Sequence, residues 1–253
     1  HRKKLVGKLI SSHKTIMNTI LIIDFGSQFT QLIARRIREL KVFCEIIPFN
    51  NIDSYLKNKT PKGMILSGGP ASVRSKMSPK ISREILNKKI PILGICYGQQ
   101  VLCHCLGGKI EKSKKREFGR TKIRVLKKSK LFQGIYKKKE NYVWMSHGDR
   151  VTKLPSGFKV IADSKDSPYA AIANETRNYY GLQFHPEVTH TTDGKKILKN
   201  FVMKVAKCKQ SWNMDNFLQI AIREIRARVG KKRVICGLSG GVDSLVTAVL
   251  LNK

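Results

Sequence analysis

Ile90-Pro91-Ile92-Leu93-Gly94-Ile95-Cys96-Tyr97-Gly98-Gln99-Gln100 is the stretch that decides how this chain folds. Ile90–Ile95 is a short apolar run suited to a buried strand. Gly94 and Gly98 frame Cys96 as G-x-C-x-G, the sharp strand-to-helix elbow with cysteine in place of serine. Such a turn puts Cys96 at its tip, and the N-terminus of the helix that follows favours a thiolate there. Tyr97–Leu106 is that helix, stopped by Gly107-Gly108. A buried cysteine in a glycine turn would read the same way, so the weight falls on the surroundings.

Upstream, Ile20–Asp24, Val42–Ile47 and Gly63–Leu66 are apolar runs that end in turn or breaker residues. Between the first two, Leu32, Ile33, Ile37 and Leu40 recur at helical spacing within Gln28–Leu40. Ser82–Asn87 belongs to a further helix. Strands alternating with helices over short links predict a parallel sheet covered on both faces. Downstream the pattern changes. Arg120–Leu126, Tyr142–Met145, Phe158–Ala162, Tyr169–Ala173 and Tyr179–Phe184 read as strands with few helices between them, hence an antiparallel section. Lys195–Val205 is a closing helix. The expected fold class is α/β: a mostly parallel open sheet flanked by helices, with an antiparallel section, spanning residues 17–206.

From about Cys208 a second α/β unit begins, over 207–253. Met214–Val229 is helical, with Phe217, Ile220, Ala221, Ile225 and Val229 on one stripe, and Arg233–Leu238 is a strand. Ser239-Gly240-Gly241-Val242-Asp243-Ser244 then opens a helix. Residues 1–16 are basic and free of acidic residues. They read as an extension outside the fold, a transit peptide being the alternative.

The 253 residues hold 50 Lys+Arg against 17 Asp+Glu, a net charge of +33. A nucleic-acid or anionic-surface partner is one reading of that excess. The basic residues are spread along the chain in short runs such as Lys112–Arg116 and Lys137–Lys139, with no zinc finger, helix-turn-helix or aromatic-laced RNA motif beside them. The favoured reading is therefore a solvated basic surface without a specific nucleic-acid partner. No apolar run is long enough to span a bilayer. Six cysteines without a C-x-x-C or a signal peptide read as reduced thiols in a cytoplasm. Cys103-His104-Cys105 has the look of a metal motif, but on a helix i and i+2 face apart, so no metal is expected.

His185-Pro186-Glu187 closes the Tyr179–Phe184 strand. His185 is placed to take the proton of Cys96 and return it to a leaving group. Glu187, on the same side of an extended backbone, is placed to orient the imidazole. Ser67-Gly68-Gly69-Pro70 ends the third strand; backbone N–H groups at such glycines suit an oxyanion hole. Gly69 and Tyr97 are the expected donors.

These residues, in this order, resemble the triad-type class I glutamine amidotransferases. The resemblance implies Cys96, His185 and Glu187 as the triad and Gly68 with Gly69 as the oxyanion strand. Gln100, Gly68, Ser146 and His147 are implied as contacts of the glutamine substrate. The stretches around Asp24–Arg36, Trp144–Asp149, His185–Thr191 and Asn200–Ser244 are similar to glutamine-hydrolysing GMP synthases. That family implies that Ser239–Ser244, in an ATP pyrophosphatase domain, hold the pyrophosphate of ATP. XMP is then adenylylated with Mg2+ and aminated by ammonia. Glutamine hydrolysis itself needs no cofactor. The elbow departs from the family at Gln99, where Met is usual. The chain as given stops short of the synthetase region, so glutaminase activity alone is expected of it. A separate synthetase subunit or a homodimer is then expected in the full-length form. Three other readings stand beside this one: a non-catalytic truncated remnant, a basic nucleic-acid binder reusing the fold, and another amidotransferase, against which the Ser239–Ser244 motif argues.

Overall fold

The computed structural model describes residues 15–136, 141–230 and 232–252. The Lys137–Lys139 run and most of the N-terminal extension lie outside the described residues. The chain divides into two compact units, 1–210 and 211–253.

The first unit is built on one nine-stranded sheet in the order β2-β1-β3-β4-β9-β8-β7-β5-β6. β1 (Thr15–Asp24), β2 (Phe43–Pro48), β3 (Lys59–Leu66), β4 (Ile92–Ile95) and β9 (Tyr179–Leu182) run parallel. β8 (Ala171–Asn174), β7 (Lys159–Ser164), β5 (Lys109–Val125) and β6 (Asn141–Lys153) continue the sheet antiparallel. The mixed sheet is the expected fold class.

The chemistry of β1 shows why the parallel half is buried. Ile20 and Ile22 face one core with Ile33 and Ile37 of α1 (Thr30–Glu39). Leu21 and Ile23 face the other with Ile52 and Leu56 of α2 (Ile52–Asn58). All four β1 side chains are fully buried, each contributing about 1.5–3 kcal/mol by leaving water. Successive strand residues point to opposite faces, so a continuous apolar run serves two cores. The short helix α3 (Arg83–Leu86) adds Ile85 and Leu86 to the α2 side.

Several boundaries differ from the sequence reading. β1 begins at Thr15, where Thr15, Ile16 and Met17 pair with Lys59, Thr60 and Pro61. The ladder to β3 thus recruits two residues that were assigned to the extension. α2 was not foreseen, because Ile52, Tyr55 and Leu56 give too short an apolar stripe. β5 starts eleven residues before the expected Arg120, since its inward positions Ser113 and Glu117 are polar. The closing helix is α5 (Gly194–Asn200) followed by a π turn at Phe201–Val205, in which the Ala206 N–H donates to Phe201 O at 2.8 Å.

In the second unit, α6 (Met214–Val229) and α7 (Val242–Asn252) are helical as expected. Arg233–Leu238 forms no strand. No described strand pairs with it, and an isolated strand leaves its backbone groups to water.

Candidate active site

β4 ends at Ile95, and the helix α4 (Tyr97–Cys105) begins immediately after Cys96. Cys96 therefore takes the whole turn in one residue, with φ 52° and ψ −106°. This conformation is costly for any residue with a side chain. Gly98 lets α4 sit down on the sheet: a Cβ there would lie 2.2 Å from Leu66 O. The Cys96 N–H donates to Leu182 O at 2.7 Å, tying the elbow to β9.

His185 follows β9 by three residues and is 4% exposed. Its Nδ1 lies 2.7 Å from Glu187 Oε1, and its ring lines the same cleft as Cys96. Burial disfavours a charged His185, yet the Glu187 charge and the bonds to Cys96 and Glu187 outweigh it. The net effect pushes the imidazole up to about 10. Glu187 is almost wholly buried, and its Oε2 has no partner among the described residues, so its charge is directed at His185. Arg36 Nε donates to Glu187 O at 3.1 Å and fixes the backbone there. Phe29 packs edge-on against the imidazole at 5.4 Å.

Two clefts meet at Cys96. One, of about 530 Å³, is lined by Gly69, Tyr97, Gln100, Ser146, His147 and Asp149 among others. The other, of about 310 Å³, is lined by Ser27, Phe29, Gly69, Ser146 and His185 with Cys96. Gly69 thus lines both clefts, as Cys96 does. Tyr97 is the first residue of α4, so its amide has no partner within the helix. Gly68 abuts the imidazole: a Cβ there would lie 3.1 Å from His185 Cε1. Gln100 is buried, and its Nε2 donates to Asp149 O at 2.9 Å. Ser146 lines both clefts, and its carbonyl accepts from Cys96 Sγ at 3.4 Å. His147 lines the larger cleft with both ring nitrogens engaged, Nδ1 3.0 Å from Asp149 O and Nε2 3.2 Å from Glu117 Oε2. The Glu117 contact braces β5 against β6.

Some neighbours escaped the sequence reading. Asp149 accepts from the Ser72 hydroxyl, and its Oδ1 lies 3.7 Å from Arg74, so a charged pair stands at the rim of the larger cleft. Gln183 lies against Cys96 Sγ. No spacing rule marks such residues, although Gln183 sits two positions before His185. Gln99 is fully buried; its Nε2 donates to Tyr169 O at 2.8 Å while its Oε1 has no partner among the described residues.

The remaining cysteines of the first unit differ in kind. Burial pushes the Cys44 and Cys208 thiols up to about 11 and raises those of Cys103 and Cys105. Among the described residues no three His, Cys, Asp or Glu side chains gather as a metal site. Nor is any described helix long and apolar enough to cross a membrane.

Ser239–Ser244 lie in the second unit at the start of α7, with Ser239–Asp243 exposed and Ser244 half-buried. The Ser239 hydroxyl is 3.2 Å from the Ser244 hydroxyl, and Ser244 Oγ donates to Gly241 O at 2.9 Å. Gly240 has φ 79°, and Asp243 sits in the first turn of α7.

Comparison with known proteins follows the same lines. The profile described as glutamine amidotransferase class-I matches residues 21–205. GMP synthases [glutamine-hydrolyzing] of Bartonella henselae and Rhizobium etli are 55% and 53% identical over 237 residues. Each match covers 93% of this chain and 46% of the relative, so the chain spans about half the length of these relatives. Among solved structures, a Thermoplasma acidophilum protein described as a candidate subunit of a GMP synthase is 33% identical, with TM-score 0.61. That match covers 75% of this chain and 94% of the other. A glutamine amidotransferase from Thermotoga maritima, 20% identical with TM-score 0.54, shares the fold over 92% of this chain and 97% of its own. The elbow, the paired imidazole and the matched span agree, and this chain belongs to the class-I glutamine amidotransferase family.

Proposed function

We propose that the first unit hydrolyses glutamine to glutamate and ammonia, and that the ammonia serves the ATP-dependent amination of XMP to GMP. The observation that carries the first part is the buried His185–Glu187 pair, held at 2.7 Å and sharing a cleft with a cysteine at the tip of an elbow. Such a pair does the work of a base and its orienting carboxylate.

The chemistry is acyl transfer. The sulfur of Cys96, its proton already held on the ring nitrogen of His185 not bonded to Glu187, attacks the side-chain amide carbon of glutamine. The Gly69 and Tyr97 amides receive the oxyanion. His185 returns the proton to the nitrogen as the C–N bond breaks, and ammonia leaves a thioester on Cys96. Water then attacks the thioester, giving its proton to His185 and releasing glutamate and the cysteine. Gln100 and the rim pair Asp149–Arg74 are the polar groups available to the amino-acid end of the substrate. In glutamine recognition, Ser146 contributes through its backbone and His147 through its brace.

The XMP step rests on the GMP synthase likeness and on the Ser239–Ser244 loop. Two hydroxyls and a glycine-rich backbone at the start of a helix are donors suited to a pyrophosphate. ATP with Mg2+ would supply the adenylylation that makes the XMP oxygen a leaving group. Ser239, Ser244 and the loop amides would hold it. A synthetase region, in the same chain or on a separate one, is the proposed partner, and a cytoplasm the proposed setting.

The test is labelling of the native chain with a glutamine-like electrophile, mapped by peptide mass. One adduct on Cys96 that free glutamine suppresses is expected. Equal labelling of all six cysteines would overturn the assignment.

A further inference from the structure

We propose that Gln183 is a positioning residue for the nucleophile, holding the Cys96 sulfur through its side-chain amide. The inference rests on the reading of Cys96 as the nucleophile. Gln183 is 1% exposed, and its Nε2 lies 3.8 Å from Cys96 Sγ, within reach of an N–H donor to sulfur. Its backbone is fixed by a bond from Gln183 N–H to Ala170 O at 2.9 Å.

The orientation of the amide follows from its neighbours. Gln100 Nε2 donates to Asp149 O at 2.9 Å, so that end of Gln100 is the nitrogen. The same nitrogen lies 3.3 Å from Gln183 Oε1. A nitrogen can face only an acceptor there, so Gln183 must present its oxygen to Gln100 and its N–H to the sulfur. A carboxylate or a thioether at 183 could not meet both demands.

The other contacts of the sulfur show what this N–H is for. The thiol can donate to Ser146 O at 3.4 Å, but a thiolate has nothing to donate and would face the carbonyl lone pairs. With the proton on His185, Gln183 and His185 are the side-chain donors on the anion's side. The titratable groups facing the sulfur are His185 and, behind it, Glu187. A buried anion with a lost donor is held less well, and its proton is harder to remove. Gln100 lines the glutamine cleft, so the brace runs from substrate pocket to nucleophile: Asp149 O, Gln100, Gln183, sulfur.

The test is alkylation of Cys96 by iodoacetamide across pH, followed by peptide mass, in the native chain, Gln183→Met and Gln183→Glu. Melting temperatures are taken in parallel. The pH of half-maximal alkylation should rise by about one unit in Gln183→Met. It should rise further in Gln183→Glu, where a carboxylate faces the thiolate. Profiles that superimpose on the native one overturn the proposal even if melting falls, because the amide would then only fill space. Gln183→Glu is nearly isosteric and carries the test alone should Gln183→Met fail to fold. Failure of the nucleophile reading shows separately, as the absence of a glutamine-suppressible adduct on the native chain.

Discussion

Two stretches of this chain are written in the same grammar: apolar strand, glycine turn, helix. Ile92–Gly98 folds as written, between β3 and β9, with Ile92, Leu93 and Ile95 fully buried. Arg233–Ser244 keeps the turn and the helix but not the strand, and Ile235 is 99% exposed with Leu238 at 64%. Local pattern is therefore enough for a helix start and a turn, whose bonds are made within a few residues. A strand must borrow its bonds from neighbours. The difference also separates the chemistry: the first loop is wrapped in side chains from other strands, while the second bonds its hydroxyls to itself and is largely exposed.

The comparison can be broken most decisively at the nucleophile. Cys96→Ala should lower glutamine hydrolysis by more than about 10³-fold, since no other residue takes over covalent catalysis. Persistent activity would mean that the wrapped loop is not the reactive one. Next comes a matched pair of glycines. Gly98→Ala would press a methyl into Leu66 O and should cost more than about 3 kcal/mol in denaturant unfolding. Gly241→Ala meets only Ser239 Oγ, at 3.5 Å, and should stay within about 0.5 kcal/mol. Equal costs would erase the distinction.

The titration of His185 sharpens it. Folding raises this imidazole from 6.5 to about 10. The ion pair with Glu187 thus stabilises the fold fully below pH 6.5 and is lost as pH rises through 10. Thermal melts from about pH 6 to 10.5 should show that decline in the native chain and a flatter one in Glu187→Gln. A smaller effect is expected of Gln99→Met, which removes the buried unpartnered Oε1 at the loss of the bond to Tyr169 O. The melting temperature should rise, by the equivalent of about 1 kcal/mol or less. Smallest of all, Asp243→Ala should leave glutamine hydrolysis within about two-fold of native; a large loss would tie the second loop to the first unit.

How much of this was legible in the sequence follows from the same distinction. The elbow, the His185–Glu187 spacing and the glycine strand end are local signals, and each was readable. The parallel half of the sheet was readable because its runs are apolar throughout. The long β5–β6 ladder was not. Glu117 and Ser113 point inward among lysines and arginines, and a pattern rule counts polar residues as surface. Glu117 is buried because His147 and Ser164 bond it from two other strands, a fact of tertiary contact. Gln183 and Asp149 escaped for the same reason. The strand expected at Arg233–Leu238 failed in the opposite sense: the local signal was strong, and no described strand pairs with it.

The backbone at position 96 has a bearing on history. With φ at 52° and ψ at −106°, cysteine there works against folding by about 1–3 kcal/mol, and glycine would relieve most of it. A lineage freed from chemistry has a downhill substitution waiting at position 96. This chain has not taken it. A silent remnant is the reading that this unspent opportunity argues against.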